Sequence, residues 1–182
     1  MAEPTDAPAV KLICGMISSR VEWLDAAGEE LTRAFGAVDR ASEAMDFDFT
    51  HYYDEEMGAP LYRRFVSFAE RVGPDALVEA KRRTHAIEGD FARRADAGVR
   101  RPINLDPGYV EPSKLVLASM KNFSHRIYLG RGVYAEVTLM YRHGSWQPLD
   151  WTFPDYRSGR YDAFLTAARN LLIGRAAGEV RR

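Results

Sequence analysis

The first hundred residues alternate between strand-like and helix-like patterns of apolar and polar positions. Residues 11–17 form a nearly continuous apolar run, which is typical of a buried strand. A 3.6-residue period follows, and Leu24 and Leu31 fall on one face of the helix that it predicts. Residues 19–22 have the capping-box pattern that begins a helix, and Gly36 is a natural end for it.

The same patterns predict the elements up to residue 105. Residues 44–50, 61–68 and 101–105 are predicted strands. Gly73-Pro74-Asp75 begins a long helix, because proline suits a first helical turn. The predicted apolar stripe of this helix consists of Leu77, Ala80, Thr84, Ile87, Phe91 and Ala95. The order strand, helix, strand, strand, helix, strand predicts an α+β domain with a ferredoxin-like split βαββαβ core.

An antiparallel hairpin extension and a C-terminal helix complete the predicted domain. Two turns, Gly130-Arg131-Gly132 and His143-Gly144, join three predicted strands. These strands cover residues 125–129, 133–142 and 145–151. The closing helix begins at Tyr161 and ends at Arg175. We expect a disordered lead-in over residues 1–9, a single domain over 10–176 and a frayed tail over 177–182.

The register of the first hairpin divides its residues between two faces. A three-residue loop places Tyr128 opposite Tyr134 and Arg126 opposite Glu136. The face that we expect to be core consists of Ile127, Leu129, Val133, Ala135, Val137 and Leu139. The other face consists of Arg126, Tyr128, Tyr134, Glu136, Thr138, Gln147 and Trp151. This polar face is either a solvated surface, with an ion pair of about 0–1 kcal/mol, or a ligand-binding sheet. In the second case Arg126 holds a carboxylate or phosphate through its two-pronged donors.

Other candidate ligand contacts lie outside the hairpin strands. Asn104 and Asp106 share a strand face and precede Pro107-Gly108, which predicts a type II turn. Lys121 and His125 lie just before the hairpins and can reach an anion. Asp155 and Arg157 belong to an aromatic segment that is more suited to a packed loop than to a mobile one. Lys81, His85 and Glu88 form a polar stripe on the long helix, which is typical of a solvated face.

An acidic segment between residues 46 and 58 raises the question of a divalent metal. Asp48 and Glu56 are the candidate ligands, with His51 nearby. The spacing matches no standard metal motif. The alternative is an acidic loop anchored by its aromatic residues.

Composition narrows the function classes. The net charge of −1 disfavours a protein that coats nucleic acid. No apolar stretch reaches the ~20 residues of a membrane span, and the acidic N-terminus does not have the basic region of a secretory signal. The single cysteine, Cys14, lies in an apolar run and is expected to be a buried core thiol. We therefore expect a cytoplasmic protein.

Several segments together resemble a bacterial family known as domain of unknown function family 4416. They include Asn104-Leu105-Asp106-Pro107-Gly108-Tyr109 and the segments 47–53, 56–58, 117–122, 125–129, 134–139 and 151–157. The resemblance implies a small stand-alone bacterial protein and assigns no activity. Family members often have Thr at the position of Met120 and Tyr at that of Phe153, so we assign no chemistry to either residue.

Some relatives of that family carry a GTP-binding label. The sequence, however, has no Gly-Lys-Ser/Thr phosphate loop, no Gly-x-Gly-x-x-Gly and no Gly-x-Ser-x-Gly. The sequence therefore lacks the main motif support for three functions. These are GTP hydrolysis by a phosphate-loop mechanism, dinucleotide binding of the Rossmann type and serine-hydrolase chemistry.

The leading hypothesis is a pocket for a small anionic ligand, nucleotide-like or phosphorylated. Arg126 and Lys121 would hold the anion, and His125 or Glu136 would act as acid or base if the protein is an enzyme. Asp48, Glu56 and Asp106 would contact a metal or ribose hydroxyls. The alternative is a non-catalytic module that binds a protein or structured RNA with its aromatic sheet face. The sequence leaves turnover and oligomeric state open.

Overall fold

The structure, a computed structural model, describes residues 1, 3–94 and 98–174. Within these residues the chain forms a mixed α/β fold with nine strands and five helices. The strands are β1 (Val10–Ser18), β2 (Val38–Ala41), β3 (Met45–Asp46), β4 (Tyr62–Val72), β5 (Asn104–Glu111), β6 (Lys114–Ser119), β7 (Ile127–Gly130), β8 (Val133–Arg142) and β9 (Ser145–Pro148). The helices are α1 (Val21–Phe35), α2 (Asp54–Met57), α3 (Ala76–Ala92), α4 (Pro154–Arg157) and α5 (Asp162–Ile173). Among the described helices, none combines the length and apolar character that a membrane crossing requires.

All of these strands belong to one antiparallel sheet. Seven of them follow the order β2-β4-β1-β5-β6-β8-β7, while β3 pairs with β4 and β9 pairs with β8. The central strand β1 pairs with β4 on one side and β5 on the other. Every residue of β1 is buried. A strand that is covered on both faces is expected to be continuously apolar, as residues 12–17 are.

Helices cover both faces of the sheet. Cys14 and Met16 of β1 pack with α1 and α3, whereas Ile13 packs with Phe65 and α5. Side chains alternate along a strand, so β1 contributes to both core layers. Each fully buried aliphatic side chain contributes roughly 1.5–3 kcal/mol of transfer free energy, and these two layers therefore hold the sheet and helices together.

The long predicted elements are confirmed. The apolar run forms β1, the strand at 61–68 forms the first part of β4, and the predicted helices form α1, α3 and α5. Gly36 ends α1 with a φ of 88°. In the predicted stripe of α3, Leu77, Ala80, Thr84 and Phe91 are buried and Ile87 is half-buried. Ala95 lies outside the described residues, as does the tail predicted over 177–182.

The predicted capping box is wrong. Arg20 is the N-cap residue of α1, and no described side chain caps this helix end. The hydroxyl that reaches the turn belongs to Ser18, which accepts the Arg20 N–H at 3.2 Å and donates to the Pro102 carbonyl at 2.7 Å. The end of β1 therefore organises this turn.

The strand predicted at 44–50 is also wrong for most of its length. Only Met45 and Asp46 pair with β4. Phe47 leaves the sheet edge and packs with Ile17, Met57 and Leu61 in a small separate cluster. The local pattern resembles a strand, but Phe47 is buried against Ile17 of β1 and Met57 of α2.

The type II turn predicted at Pro107-Gly108 is wrong, because β5 runs straight through it. Pro107 pairs with Cys14 and Gly108 with Ile13. Gly108 does not have the positive φ that a type II turn needs. A Cβ atom at Gly108 would lie 2.5 Å from the Val116 carbonyl oxygen, so this glycine allows β6 to approach closely.

The first hairpin has the predicted register up to Tyr128, but the pairing shifts before the turn, where Gly130 pairs with Val133, and the burial differs from the prediction. Tyr128 pairs with Tyr134, as expected. Ile127 and Leu129, however, are 71% and 41% exposed, so the prediction that they are core residues is wrong. The edge strand β7 extends beyond the helices that cover the sheet. On the other face, where the sequence left a solvated surface and a ligand-binding sheet open, Glu136 is buried.

Candidate functional site

The sheet opens between β5 and β6. These strands pair only over residues 108–111 and 114–117. Beyond that point α3 supplies partners for the backbone of Leu105. The Lys81 ammonium donates to its carbonyl at 2.9 Å, and Glu88 accepts its N–H at 2.6 Å. Lys81 and Glu88 thus take the place of a neighbouring strand as hydrogen-bond partners of Leu105. Therefore β5 and β6 can separate without leaving the buried backbone groups of Leu105 unpaired.

A pocket of about 790 Å³ lies at this end of the sheet. Its described lining combines an aromatic wall with five basic and four acidic side chains. The aromatic residues are Phe47, Phe49, Tyr52, Tyr53, Phe153 and Tyr156. The charged residues are Arg63, Lys81, Arg101, Lys121 and Arg126, with Glu88, Asp106, Glu136 and Asp155. The pocket therefore offers both stacking surface and oriented charge.

Arg63 is a buried cation of this lining, only 3% exposed. Its Nη2 donates to the Tyr156 hydroxyl at 2.9 Å and lies 3.5 Å from Asp106 Oδ2, while Nη1 lies 3.4 Å from Asp155 Oδ2. Four aromatic rings surround its guanidinium at 4.9–5.7 Å. Its Nε has no hydrogen-bond partner among the described residues. We name Arg63, Asp106, Asp155 and Tyr156 the Arg63 cluster.

Electrostatics keep the Arg63 guanidinium charged. Burial acts to lower the pKa of Arg63, but Tyr156, Asp155 and Asp106 raise it by more. Burial raises the pKa of Asp155 by more than Arg63 lowers it. Burial also raises the pKa of the Tyr156 hydroxyl well above its usual range, so this phenol is a neutral hydrogen-bonding group.

Gly15 provides the space for this arrangement. It lies opposite Phe65 on β4 and Asp106 on β5. A Cβ atom at Gly15 would lie 2.9 Å from Nη2 of Arg63 and 2.9 Å from a ring carbon of Phe65. The missing side chain in the middle strand lets the arginine lie across it.

A second ionic cluster lies on β8 and the segment before β7. Glu136, with a side chain 1% exposed, accepts hydrogen bonds from Arg126 Nε at 2.8 Å and from His125 Nε2 at 3.0 Å. Arg126 Nη1 also donates to Ser119 Oγ at 3.0 Å and to the Lys121 carbonyl at 2.9 Å. We name Arg126, Glu136 and His125 the Arg126 cluster. It fixes the segment that carries Lys121 at the pocket.

Two other predicted residues, Thr138 and Trp151, support this cluster from outside the pocket. The Thr138 hydroxyl donates to Glu136 at 3.3 Å. Trp151 stacks on His125, with ring centroids 5.2 Å apart and an interplanar angle of 9°. Its indole N–H donates to the Val137 carbonyl at 2.8 Å. His125 itself does not belong to the pocket lining.

The fold places some of the predicted site residues at the pocket and others away from it. Six of them line the pocket, namely Asn104, Asp106, Lys121, Arg126, Glu136 and Asp155. Tyr128 lies on the exposed hairpin, and its hydroxyl accepts the Gly132 N–H at 3.2 Å. Arg157 donates to the Leu149 and Asp150 carbonyls at 2.7 and 3.2 Å and does not line the pocket.

The two candidate metal ligands have basic partners. Asp48 pairs with Arg160 at 3.0 Å, and Glu56 pairs with Arg100 at 2.9 Å. In the part of the chain that the structure describes, no three His, Cys, Asp or Glu side chains are grouped so that they could hold a metal ion. Cys14 is buried, as expected, and burial raises the pKa of its thiol.

Sequence patterns did not identify Arg63, Gly15 or the role of the α3 stripe. Arg63 was assigned to a strand without a function, because its partners on β5 and α4 are distant along the chain. Lys81 and Glu88 do not form a solvated face, since Lys81 is 8% exposed and the Glu88 side chain 12%. One signal was present: both residues share the helical spacing of the buried Leu77 and Thr84.

The chain belongs to the family described as domain of unknown function (DUF4416), which matches residues 8–171. No curated protein and no solved structure is significantly similar to it. The family assignment confirms the resemblance drawn from the sequence motifs. The expected bacterial origin and the GTP-binding label of some relatives remain expectations.

Proposed function

We propose that the pocket binds a small anionic ligand, either a nucleotide or another phosphorylated compound with a planar group. The observation that carries this proposal is the convergence of six predicted polar residues and an aromatic wall on one cavity of about 790 Å³. That volume is within the range of roughly 300–1,000 Å³ typical of small-molecule sites.

The lining suits the two halves of such a ligand. Phe49, Tyr52 and Tyr53 bring aromatic surface to the pocket, which favours contact with a flat heterocycle. Arg160 and Lys121 already lie over the rings of Phe49 and Tyr52. Asn104 and Asp106 offer an amide and a carboxylate that can bind hydroxyl groups, although the Asn104 side chain already donates to Asp106 at 2.8 Å. The basic residues attract the anionic end.

The geometry supports binding more directly than turnover. His125 lies outside the lining, and Glu136 is bound to both His125 and Arg126. A general acid or base needs to reach the reacting proton within about 3 Å. We therefore assign the Arg126 cluster a positioning role, in which it holds Lys121 and the wall around it.

The test is a thermal-stability screen with nucleotides, sugar phosphates and divalent metals. A ligand at about 100 times its Kd adds about 2.7 kcal/mol to the free energy of unfolding and raises Tm by several degrees. Two exposed alanines of α3 provide a matched pair, because Ala92 lines the pocket and Ala86 does not. We expect Ala92→Trp to abolish the shift and Ala86→Trp to retain it. A shift that survives in both variants would place the ligand elsewhere.

A non-catalytic interaction module is the second candidate, and the exposed hairpin favours it. Phe123, Ile127 and Tyr128 are 63%, 71% and 58% exposed. Edge strands with exposed apolar residues are typical sites for protein association. Ile127→Asp should abolish such binding without affecting a pocket ligand. If the partner is RNA, affinity should fall steeply as salt is raised.

We also propose the finer classification of the fold and its location. The order β5-β1-β4-β2, with helices α1 and α3 between successive strands, supports a ferredoxin-like core to which the remaining strands are added. The single buried cysteine supports a cytoplasmic location. Circular dichroism of a chain truncated after β6 would test whether the core folds alone.

A further inference from the structure

Lys81 is a buried cation of the pocket that has no carboxylate partner among the described residues. Its side chain lines the cavity and is 8% exposed. Its Nζ donates to the Leu105 carbonyl at 2.9 Å. Within the residues that the structure describes, no acidic side chain forms an ion pair with it. An ammonium group has three donors, so two remain for another acceptor. A buried charge without a counter-ion is costly to maintain.

Lys11 shows how the same fold treats a buried lysine that has a structural role. It is 2% exposed and forms an ion pair with Asp39. The other carboxylate oxygen of Asp39 accepts a hydrogen bond from Ser67 at 2.7 Å. The buried charge of Lys11 is therefore compensated within the chain. Lys81 lacks such a counter-ion among the described residues, and an incoming anion would supply one.

Glu88, on the same helix, forms no ion pair with Lys81. Its Oε1 accepts the Leu105 N–H at 2.6 Å and lies 3.6 Å from Arg101. Its Oε2 lies 3.6 Å from His85 Nδ1. Glu88 thus has its own basic neighbours. A neutral donor would have sufficed for the Leu105 carbonyl, so the charge at position 81 calls for another explanation.

The remaining cations of the lining are paired or exposed. Arg63 has Asp106 and Asp155, and Arg126 has Glu136. Arg101 lies near Glu56 and Glu88. Lys121 is exposed, and its Nζ lies 3.1 Å from the Tyr52 hydroxyl. Water screens an anion at Lys121 more strongly than one at Lys81.

We propose that the ammonium group of Lys81 receives a terminal oxyanion of the pocket's ligand, a phosphate or a carboxylate, in the cleft between β5 and β6. This proposal rests on the ligand-binding function proposed above and names the group that holds the anion. It replaces Arg126 in that role, because the guanidinium of Arg126 is already bound to Glu136.

Lysine-selective NMR tests the proposal on the full chain. The sequence has only four lysines, Lys11, Lys81, Lys114 and Lys121, and single Lys→Arg variants assign their ¹³Cε resonances. Inorganic phosphate and acetate are titrated separately against chloride at constant ionic strength. We expect the Lys81 resonance to move along a saturable curve while that of Lys11 stays fixed. A stronger response to phosphate identifies a phosphoryl ligand, and a stronger response to acetate identifies a carboxylate ligand.

A pair of variants provides the second measurement. Lys81→Met should weaken phosphate affinity by about 10- to 100-fold, the loss expected for charge-assisted hydrogen bonds. Lys114→Met, at a half-buried lysine that pairs with Glu111 outside the pocket lining, is the control and should change it by less than about 3-fold. If Lys81→Met does not fold, the titration of the Lys81 ¹³Cε resonance in the wild-type protein still tests whether an anion binds there. A Lys81 resonance that responds to neither anion overturns the proposal.

The two proposals fail in different ways. If no nucleotide or sugar phosphate stabilises the protein but Lys81 responds to phosphate, the ligand class is wrong and the anion site stands. If a compound from the screen binds in the pocket with equal affinity to wild type and Lys81→Met, the anion site is wrong and the pocket function stands.

Discussion

Two arginines of the pocket, Arg63 and Arg126, are both bound to carboxylates, but their partners come from different ranges of the chain. Arg126 lies 10 residues from Glu136, across one hairpin. Arg63 lies 93 residues from Tyr156, and its two aspartates belong to β5 and α4. The first cluster could be predicted from the register of adjacent strands. The second could not, because three separate elements have to meet before it exists.

Their surroundings differ as well. The Arg63 side chain is 4% exposed and is surrounded by aromatic rings, whereas that of Arg126 is 11% exposed. In the drier Arg63 cluster, an ionic group left without its partner costs more. The comparison predicts that the Arg63 cluster contributes mainly to stability and that the Arg126 cluster contributes mainly to the shape of the pocket.

The largest expected effect is the loss of Arg63. Arg63→Ala leaves Asp106 and Asp155 without their shared cation and should lower the free energy of unfolding by about 3–5 kcal/mol. Arg64→Ala, the next residue on β4, removes one ion pair with the exposed Asp25 and should cost about 0–1 kcal/mol. Urea denaturation measures the free energy of unfolding of both variants. Equal losses would contradict the idea that burial makes the Arg63 ion pairs matter more than that of Arg64.

Arg126 should matter less for stability and more for binding. Arg126→Ala should lower the free energy of unfolding by about 1.5–3 kcal/mol, the range for hydrogen bonds to a charged group. It should also weaken ligand affinity, since Lys121 loses the contact that holds its carbonyl. A double-mutant cycle with Glu136→Ala should give a coupling free energy of about 0.5–3 kcal/mol. Additive effects would contradict a direct interaction.

Gly15→Ala tests whether the Arg63 side chain needs the space left by the missing side chain of Gly15. The added methyl group would lie 2.9 Å from both Arg63 and Phe65, and overpacking of this kind costs about 1–3 kcal/mol. Gly28 in α1 is the control, because apart from the adjacent residues and the backbone of its own helix no described atom lies within 4 Å of a Cβ atom built there. Gly28→Ala should raise stability by roughly 0.5–1 kcal/mol through helix propensity. The two substitutions should therefore shift Tm in opposite directions.

The smallest expected effect is a pH dependence that originates in Asp155. Burial, opposed by Arg63, raises the pKa of this carboxyl in the folded protein above the ordinary value of 3.8. The folded state then binds the proton more tightly than the unfolded state, so this contribution to stability is greatest at low pH. It falls as the pH rises from about 3.8 through the raised pKa.

Asp155→Asn removes this titration. The Tm of wild type minus that of Asp155→Asn, measured from about pH 4 to about pH 7, should decrease as the pH rises. Glu55→Gln, on the exposed side of α2, controls for the loss of one carboxylate. An increase of the difference with pH would mean that Arg63, rather than burial, dominates the environment of Asp155.

Local patterns predicted the elements in which many neighbouring residues favour the same type of secondary structure. The apolar run of β1 and the helical stripes of α1, α3 and α5 were correctly identified, as was the pairing of Tyr128 with Tyr134. Pro107-Gly108 was misjudged because a glycine serves a turn and a close strand approach equally well, and only β6 shows which applies. Ile127 was misjudged because an apolar residue is buried only where another element covers it.

By itself the sequence determined β1, the first part of β4 and the helices α1, α3 and α5. It also determined the family and six of the polar residues that line the pocket. It could do so because periodicity and motifs are properties of consecutive residues. The tertiary structure alone decided that β5 and β6 separate, that Arg63 meets carboxylates from β5 and α4, and that Lys81 is buried without an acidic partner among the described residues. Burial and charge compensation depend on groups that are distant along the chain and adjacent only after folding.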